Sequence, residues 1–182
     1  MLTLINDLLD VSVIESGKLD LRLEKGSLRD LLENRCKISR IIAGRKDITL
    51  HTEFSHIPDL MFDPGRIAQA FDNFTSNAIK YSPPGSNVYI SMTQQEDGKV
   101  RVRVRDQGPG ISEEDQRRMF GAFERLSAQP SGGEKSTGLG LAIVKKIIEA
   151  HQGSLEVESQ VGSGSSFSFK IPVCEEVLGV KC

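Results

Sequence analysis

Apolar positions recur at helical spacing in four places along the chain. Leu2, Ile5, Leu9 and Val13 share one face of a segment that stops at Gly17, which predicts an amphipathic helix over residues 1–16. Ser27 precedes a second run, in which Leu28, Leu31, Leu32, Ile38, Ile41 and Ile42 end at Gly44. Asp63 followed by Pro64 makes a capped start for a third, "DPGRIAQAFDNFTSNAIKYS", closed by Pro83 and Pro84. The fourth is "GLGLAIVKKIIEAHQG". Elsewhere the period is two, and "LDLRLE", "DITLHTEF", "SNVYISMTQ", "KVRVRVRD", "SLEVES" and "SSFSFKIP" read as strands, with "EDGK" as a hairpin turn between the third and the fourth. Ser112 with Asp115 suits the capped start of a short helix through Met119, and the polar Gly- and Ser-rich stretch from Ser127 to Thr137 reads as a loop. Strands and helices mixed in this order, with hairpins, predict an α+β fold: a two-layer α/β sandwich of one sheet against helices.

Composition narrows the function classes. A chain of 182 residues with a net charge of -2 holds one well-buried core and has no field for gathering nucleic acid or anionic lipid. No apolar stretch approaches the roughly 20 residues needed to cross a membrane, and no signal peptide is visible. Cys36, Cys174 and Cys182 are odd in number and widely spaced, so a reducing, cytoplasmic setting without a disulfide framework or a zinc site is expected.

Two positions conflict with simple burial patterning. On the third helix, Ile67, Phe71, Phe74 and Ala78 fall on one core-facing stripe, with Ile79 outside it. Asn73, Asn77, Lys80 and Tyr81 form a second stripe about a quarter turn away, where polar residues line a cleft rather than meet open solvent. At the end of "KVRVRVRD", the period that sends Val100, Val102 and Val104 to the core sends Asp106 there too. A buried carboxylate must find donors in protein, water or ligand. "QGPGI" follows directly, and Gly108 and Gly110 let the backbone turn sharply and something approach closely.

"SGGEKSTGLGLAIVKK" is not a phosphate loop of either common kind. Lys135 and Ser136 precede Gly138 and Gly140, whereas a P-loop lysine follows its last glycine, and Ile143 stands where a dinucleotide fingerprint needs a third small residue. Taken in order, however, "NFTSNAIKY", "DQGPGI" and "GLGLAI" resemble the N, G1 and G2 boxes of the GHKL ATP-binding superfamily, and within it the catalytic domain of sensor histidine kinases. "MFGAFERL" is similar to that family's F box, with Gly121 and Glu124 at positions where an acidic and an aromatic residue are usual. "HQGSLEVESQVGSGSSFSFKIP" is similar to its closing segment, and "LINDLLDVSVIESGKL" to the end of the second dimerisation helix and its linker.

The resemblance implies a Bergerat-type fold, with a mixed, mostly antiparallel sheet on helices and an N-terminal helical remnant. Residues 1–18 would be the remnant and linker, 19–173 the catalytic domain and 174–182 a tail. It implies Asp106 as the adenine-reading carboxylate, Asn77 as the Mg²⁺ ligand, and Asn73 and Lys80 as contacts to the phosphate region, these last three being the catalytic set. Tyr81, Gly108, Gly110, Ile111, Phe120, Arg125, Thr137, Gly138, Leu139, Gly140 and Leu141 would complete the ATP site, and residues 112–137 would form a lid. Phe120 and Phe123 keep a second reading, as core. In the hydrolysing branch a glutamate occupies the Asn73 position, so this chain is expected to transfer a phosphoryl group to a histidine it does not carry. His51, His56 and His151 read as surface or capping residues. The implied partners are a histidine-bearing dimerisation domain, a response regulator receiver domain and a second copy of the parent protein. Two alternatives remain: an anti-sigma-factor type serine kinase or ATPase, and a degenerate nucleotide-binding docking module.

Overall fold

Val100, Val102 and Val104 alternate with three arginines along one strand, and the physics of that alternation orients the sheet. The structure is a computed structural model and describes residues 19–124, 126–127, 131 and 138–173; the predicted helix over 1–16 and the tail after Val173 lie outside the described residues. The elements run β1 (Glu24–Gly26), α1 (Leu28–Gly44), β2 (Thr49–Phe54), β3 (Leu60–Phe62), α2 (Pro64–Tyr81), β4 (Asn87–Gln94), β5 (Lys99–Arg105), α3 (Glu113–Arg118), α4 (Gly140–Ala150), β6 (Ser154–Ser159) and β7 (Ser165–Pro172). Five strands form one sheet in the order β2-β4-β5-β7-β6, with β2 parallel to β4 and every other neighbour antiparallel. This is the two-layer sandwich with a mixed, mostly antiparallel sheet.

One face of the sheet is the core. Val88, Ile90 and Met92 of β4, the three valines of β5, and Phe167, Phe169 and Ile171 of β7 are all buried on it. They meet Ile67, Phe71, Phe74 and Ala78 of α2, and Phe74 lies 5.3 Å from Phe167, ring centroid to ring centroid, in a tilted pair. Each such side chain, fully buried, contributes about 1.5–3 kcal/mol relative to exposure, so this layer carries much of the driving force for folding. On the opposite face Arg101 pairs with Glu156 at 2.8 Å and Arg103 with Glu158 at 2.5 Å. Such exposed pairs are worth about 0–1 kcal/mol and serve mainly to keep that face wet.

Three expectations are corrected, and the two readings of His151 are narrowed to one. The strand expected in "LDLRLE" forms only from Glu24, as β1, and pairs with β3, a strand the alternation does not reveal because it has three residues. Upstream, the Arg22 amide donates to the Asp63 carboxylate at 2.8 Å instead of to a neighbouring strand. Ile79 is buried despite its angle, because α2 packs against both α1 and α4 and therefore has a wider covered arc than one sheet contact gives. Of the two readings of His151, surface or cap, the cap holds, and the residue is buried. It closes α4 from inside, with its Nδ1 on the Ile147 carbonyl at 2.7 Å and its Nε2 accepting from the Asp63 amide at 3.0 Å, and burial lowers its pKa. Phe123 is not core: it is 64% exposed with φ +63°, whereas Phe120 packs against the core.

Candidate functional site

Asp106 follows the last residue of β5 and keeps the strand's inward direction, so the residue is only 5% exposed. Its Oδ1 accepts from the Gly108 amide at 2.8 Å and from the Ser165 amide at 3.2 Å, while its own amide donates to the Ser165 carbonyl at 2.8 Å. Burial pushes its pKa up and these two amides pull it back. No described residue donates to Oδ2, and that oxygen is not among the fully buried unpaired atoms, so it remains reachable from outside the protein.

The turn after Asp106 is tight because other backbone runs across it. Gly110 has φ +73°, and a Cβ there would lie 2.0 Å from the Gln160 carbonyl oxygen in the β6–β7 turn. Ile111 is buried behind it, and its amide donates to Ser159 Oγ at 2.9 Å. Gly108 lies against the Tyr81 carbonyl, so the end of α2 touches this turn directly.

The other end of the same stripe on α2 touches α4. A Cβ on Gly140 would lie 2.4 Å from Asn73 Oδ1, so only glycine lets α4 begin so close to α2. Asn73 itself donates from Nδ2 to the Gln69 carbonyl of its own helix at 3.0 Å. Gly138, with φ +74°, turns the chain into α4, and the helix begins at Gly140 rather than at Gly138. Leu139, its N-cap, provides no side-chain cap, so the first amides of an eleven-residue helix keep their donors and the positive end of its dipole for a ligand. Leu139 is buried and Leu141 packs against the core, so both anchor this helix start.

Between these contacts, Asn77 is half-buried and its side chain makes no hydrogen bond with a described residue, and Lys80 holds its Nζ 5.7 Å from the Tyr81 ring centroid. The Asp106 turn and the α4 start thus both pack against the α2 stripe, bringing together residues as far apart in sequence as Asn73 and Gly140, 67 positions. Arg125 and Thr137 lie outside the described residues. Sequence reasoning missed the β6–β7 turn as part of the site. Gly164 and Ser165 hold Asp106 in place, and a Cβ on Gly164 would lie 2.2 Å from the Asp106 carbonyl oxygen. The glycine and serine run "VGSGSS" was the available signal.

Comparison with known proteins shows which family the chain belongs to. The histidine kinase-, DNA gyrase B-, and HSP90-like ATPase family matches residues 62–175, from β3 through β7. The chain belongs to this family. Several of its relatives are histidine kinases. The chain is 37% identical over 176 residues to the non-motile and phage-resistance protein of Caulobacter vibrioides, covering 95% of this chain and 21% of that protein. It is 33% identical over 181 residues to the cell-division control histidine kinase PdhS of Brucella abortus, covering 94% and 18% respectively. The chain therefore spans about a fifth of the length of these curated relatives. Among solved structures, full-length ShkA in complex with AMPPNP superposes with a TM-score of 0.81 at 31% identity, over 94% of this chain and 35% of that one. The catalytic domain of the histidine kinase ThkA gives 0.73 at 28%, over 84% and 97%. This histidine kinase-type chain is an ATP-binding catalytic domain with the family's mixed sheet on helices.

Proposed function

We propose that residues 19–173 bind ATP with Mg²⁺ and present the γ-phosphoryl group for in-line transfer to a histidine on a dimerisation domain, of which residues 1–18 are the end and the linker; residues 174–182 are a tail. The observation that carries this reading is Asp106: a buried carboxylate with one oxygen satisfied by two amides and the other left open. An acceptor suits the exocyclic amine of adenine and faces another acceptor at the corresponding position of guanine.

Asn77, Lys80 and the α4 amides then lie toward the phosphates. Asn77 on α2 offers a neutral amide oxygen, a hard donor of the kind Mg²⁺ takes. That ion takes hard oxygens in octahedral geometry and keeps several from water and phosphate, leaving Asn77 as one neutral protein ligand. When bound, it would neutralise charge on the transferring group. Asn73 is no base, and its Nδ2 is committed to its own helix, which favours transfer over hydrolysis. Tyr81 offers a flat surface near the nucleotide, with Gly108, Gly110, Ile111, Phe120, Arg125, Thr137, Gly138, Leu139, Gly140 and Leu141 around it. A receiver domain would take the phosphoryl group next, the parent protein acting as a dimer in the cytoplasm. Calorimetric titration of ATP and GTP, each with and without Mg²⁺, tests the reading: Mg²⁺-dependent binding of ATP alone is expected, and equal binding of both nucleotides refutes it.

A further inference from the structure

Lys46 contacts the end of the Asn77-bearing helix from a different element, and its sequence context gives no hint of this. It sits in the turn after α1, where the amides of Arg45, Lys46 and Asp47 bond the carbonyls of Ile42, Ala43 and Gly44, and Asp47 takes φ +55°. That fixed turn directs the half-buried side chain at the C-terminus of α2. Its Nζ donates to the Ile79 carbonyl at 3.0 Å, to the Lys80 carbonyl at 3.1 Å and to Ser131 Oγ at 2.8 Å. Ser131, in the loop between α3 and α4, is bound to the same place: its amide reaches the Lys80 carbonyl at 3.1 Å, and its hydroxyl lies 2.7 Å from the Ser82 carbonyl.

The last carbonyls of a helix have no partners within it, and a cation there also suits the dipole. Ser82, the C-cap, is in extended conformation and uses its amide on the Ala78 carbonyl, so Ile79 and Lys80 depend on outside donors. Lys80 is also the residue whose side chain the nucleotide reading assigns to the phosphates, and Asn77 is one turn upstream. The Lys46 ammonium, together with the amide and hydroxyl of Ser131, therefore holds in place the backbone from which both project, and its bond to Ser131 ties the two anchors together.

We propose that Lys46 is a positioning residue for the phosphate end of the site, acting through the last turn of α2 and through Ser131. The proposal rests on the nucleotide reading above and adds to it a residue outside its boxes. The Asp106 carboxylate is held by hydrogen bonds from the Gly108 and Ser165 amides, to neither of which Lys46 bonds, and the end of α2 reaches this turn only through the contact of the Tyr81 carbonyl with Gly108. Loss of Lys46 should therefore weaken contacts to phosphate and spare those to the base, a separation that general destabilisation does not produce.

The test compares binding of MgATP and of adenosine to wild type, Lys46→Met and Ser131→Ala, with thermal melts of each. Lys46→Met is expected to lose about ten-fold in MgATP affinity, and Ser131→Ala, an exposed side chain whose removal leaves the core intact, about three-fold, with adenosine affinity unchanged in both. Unchanged MgATP affinity in the folded variants overturns the proposal, as does a parallel loss of MgATP and adenosine. Wild-type protein that binds adenosine but gains nothing from phosphates and Mg²⁺ refutes the phosphate reading and this assignment with it. Wild-type protein with a clear MgATP preference that both variants retain refutes the role of Lys46 alone.

Discussion

Replacing Asp106 with asparagine separates recognition from stability, because the two depend on opposite properties of the same carboxylate. In the folded protein burial holds its pKa above the ordinary value, so the ionised group is a net cost to the fold once the pH rises through that value. Asparagine removes the charge and can still offer Oδ1 to the Gly108 and Ser165 amides, so both protein hydrogen bonds survive the substitution. Its other atom then becomes an NH₂ donor where the wild type has an open acceptor. Facing the adenine amine, donor meets donor, and a charge-assisted hydrogen bond worth about 1.5–3 kcal/mol is lost, which corresponds to roughly a ten- to hundred-fold fall in ATP affinity. The same donor suits the guanine carbonyl, so discrimination against GTP should shrink as well. Calorimetric titration of both nucleotides, alongside urea unfolding at pH 7, reads each quantity separately. Weaker ATP binding with unfolding stability equal to or above wild type is expected. Undiminished ATP affinity, or a loss of binding matched by a loss of stability, would refute the reasoning.

Asn77→Ala should abolish the increment in ATP affinity that Mg²⁺ provides while leaving metal-free binding nearly unchanged, which titration with and without the metal measures. Gly140→Ala places a methyl group 2.4 Å from Asn73 Oδ1. It should cost about 1–3 kcal/mol as overpacking does and weaken ATP binding by moving α4 away from α2, as a denaturant midpoint and a titration would show. Asp115 is held down to about pKa 2, first by Ser127 and then by Arg118. A carboxylate with a lowered folded pKa adds stability that is complete above its unfolded value of about 4 and disappears as the pH falls toward 2. Asp115→Asn should therefore flatten that acid limb in a series of urea melts, and an unaltered limb would show that the clamp on Ser127 contributes nothing.

Local pattern alone determined most of the elements. The two periods separated helices from strands, and α1, α2, β4 to β7 and the β4–β5 turn appear close to where Ser27, Asp63, Gly44, the double proline and "EDGK" delimit them. The inward direction of Asp106 followed from strand parity, which needs no knowledge of what the strand packs against. The family boxes were legible because glycines, asparagines and an inward aspartate are costly where pattern alone would place other residues, so their order carries information.

Partners distant in sequence were decided only by the tertiary structure. Ile79 became buried when α1 covered a flank of α2, His151 became an internal cap when Asp63 came within reach of its ring, and Phe123 was left exposed. Gly164 and Ser165 joined the site only because β7 lies beside β5. Lys46 is the clearest case. In sequence it is one lysine in a polar turn, and only the packing of α1 against α2 brings its ammonium to carbonyls 33 and 34 residues away. Burial, pairing and capping belong to pairs of segments, and one segment read by itself carries only its own half of each pair.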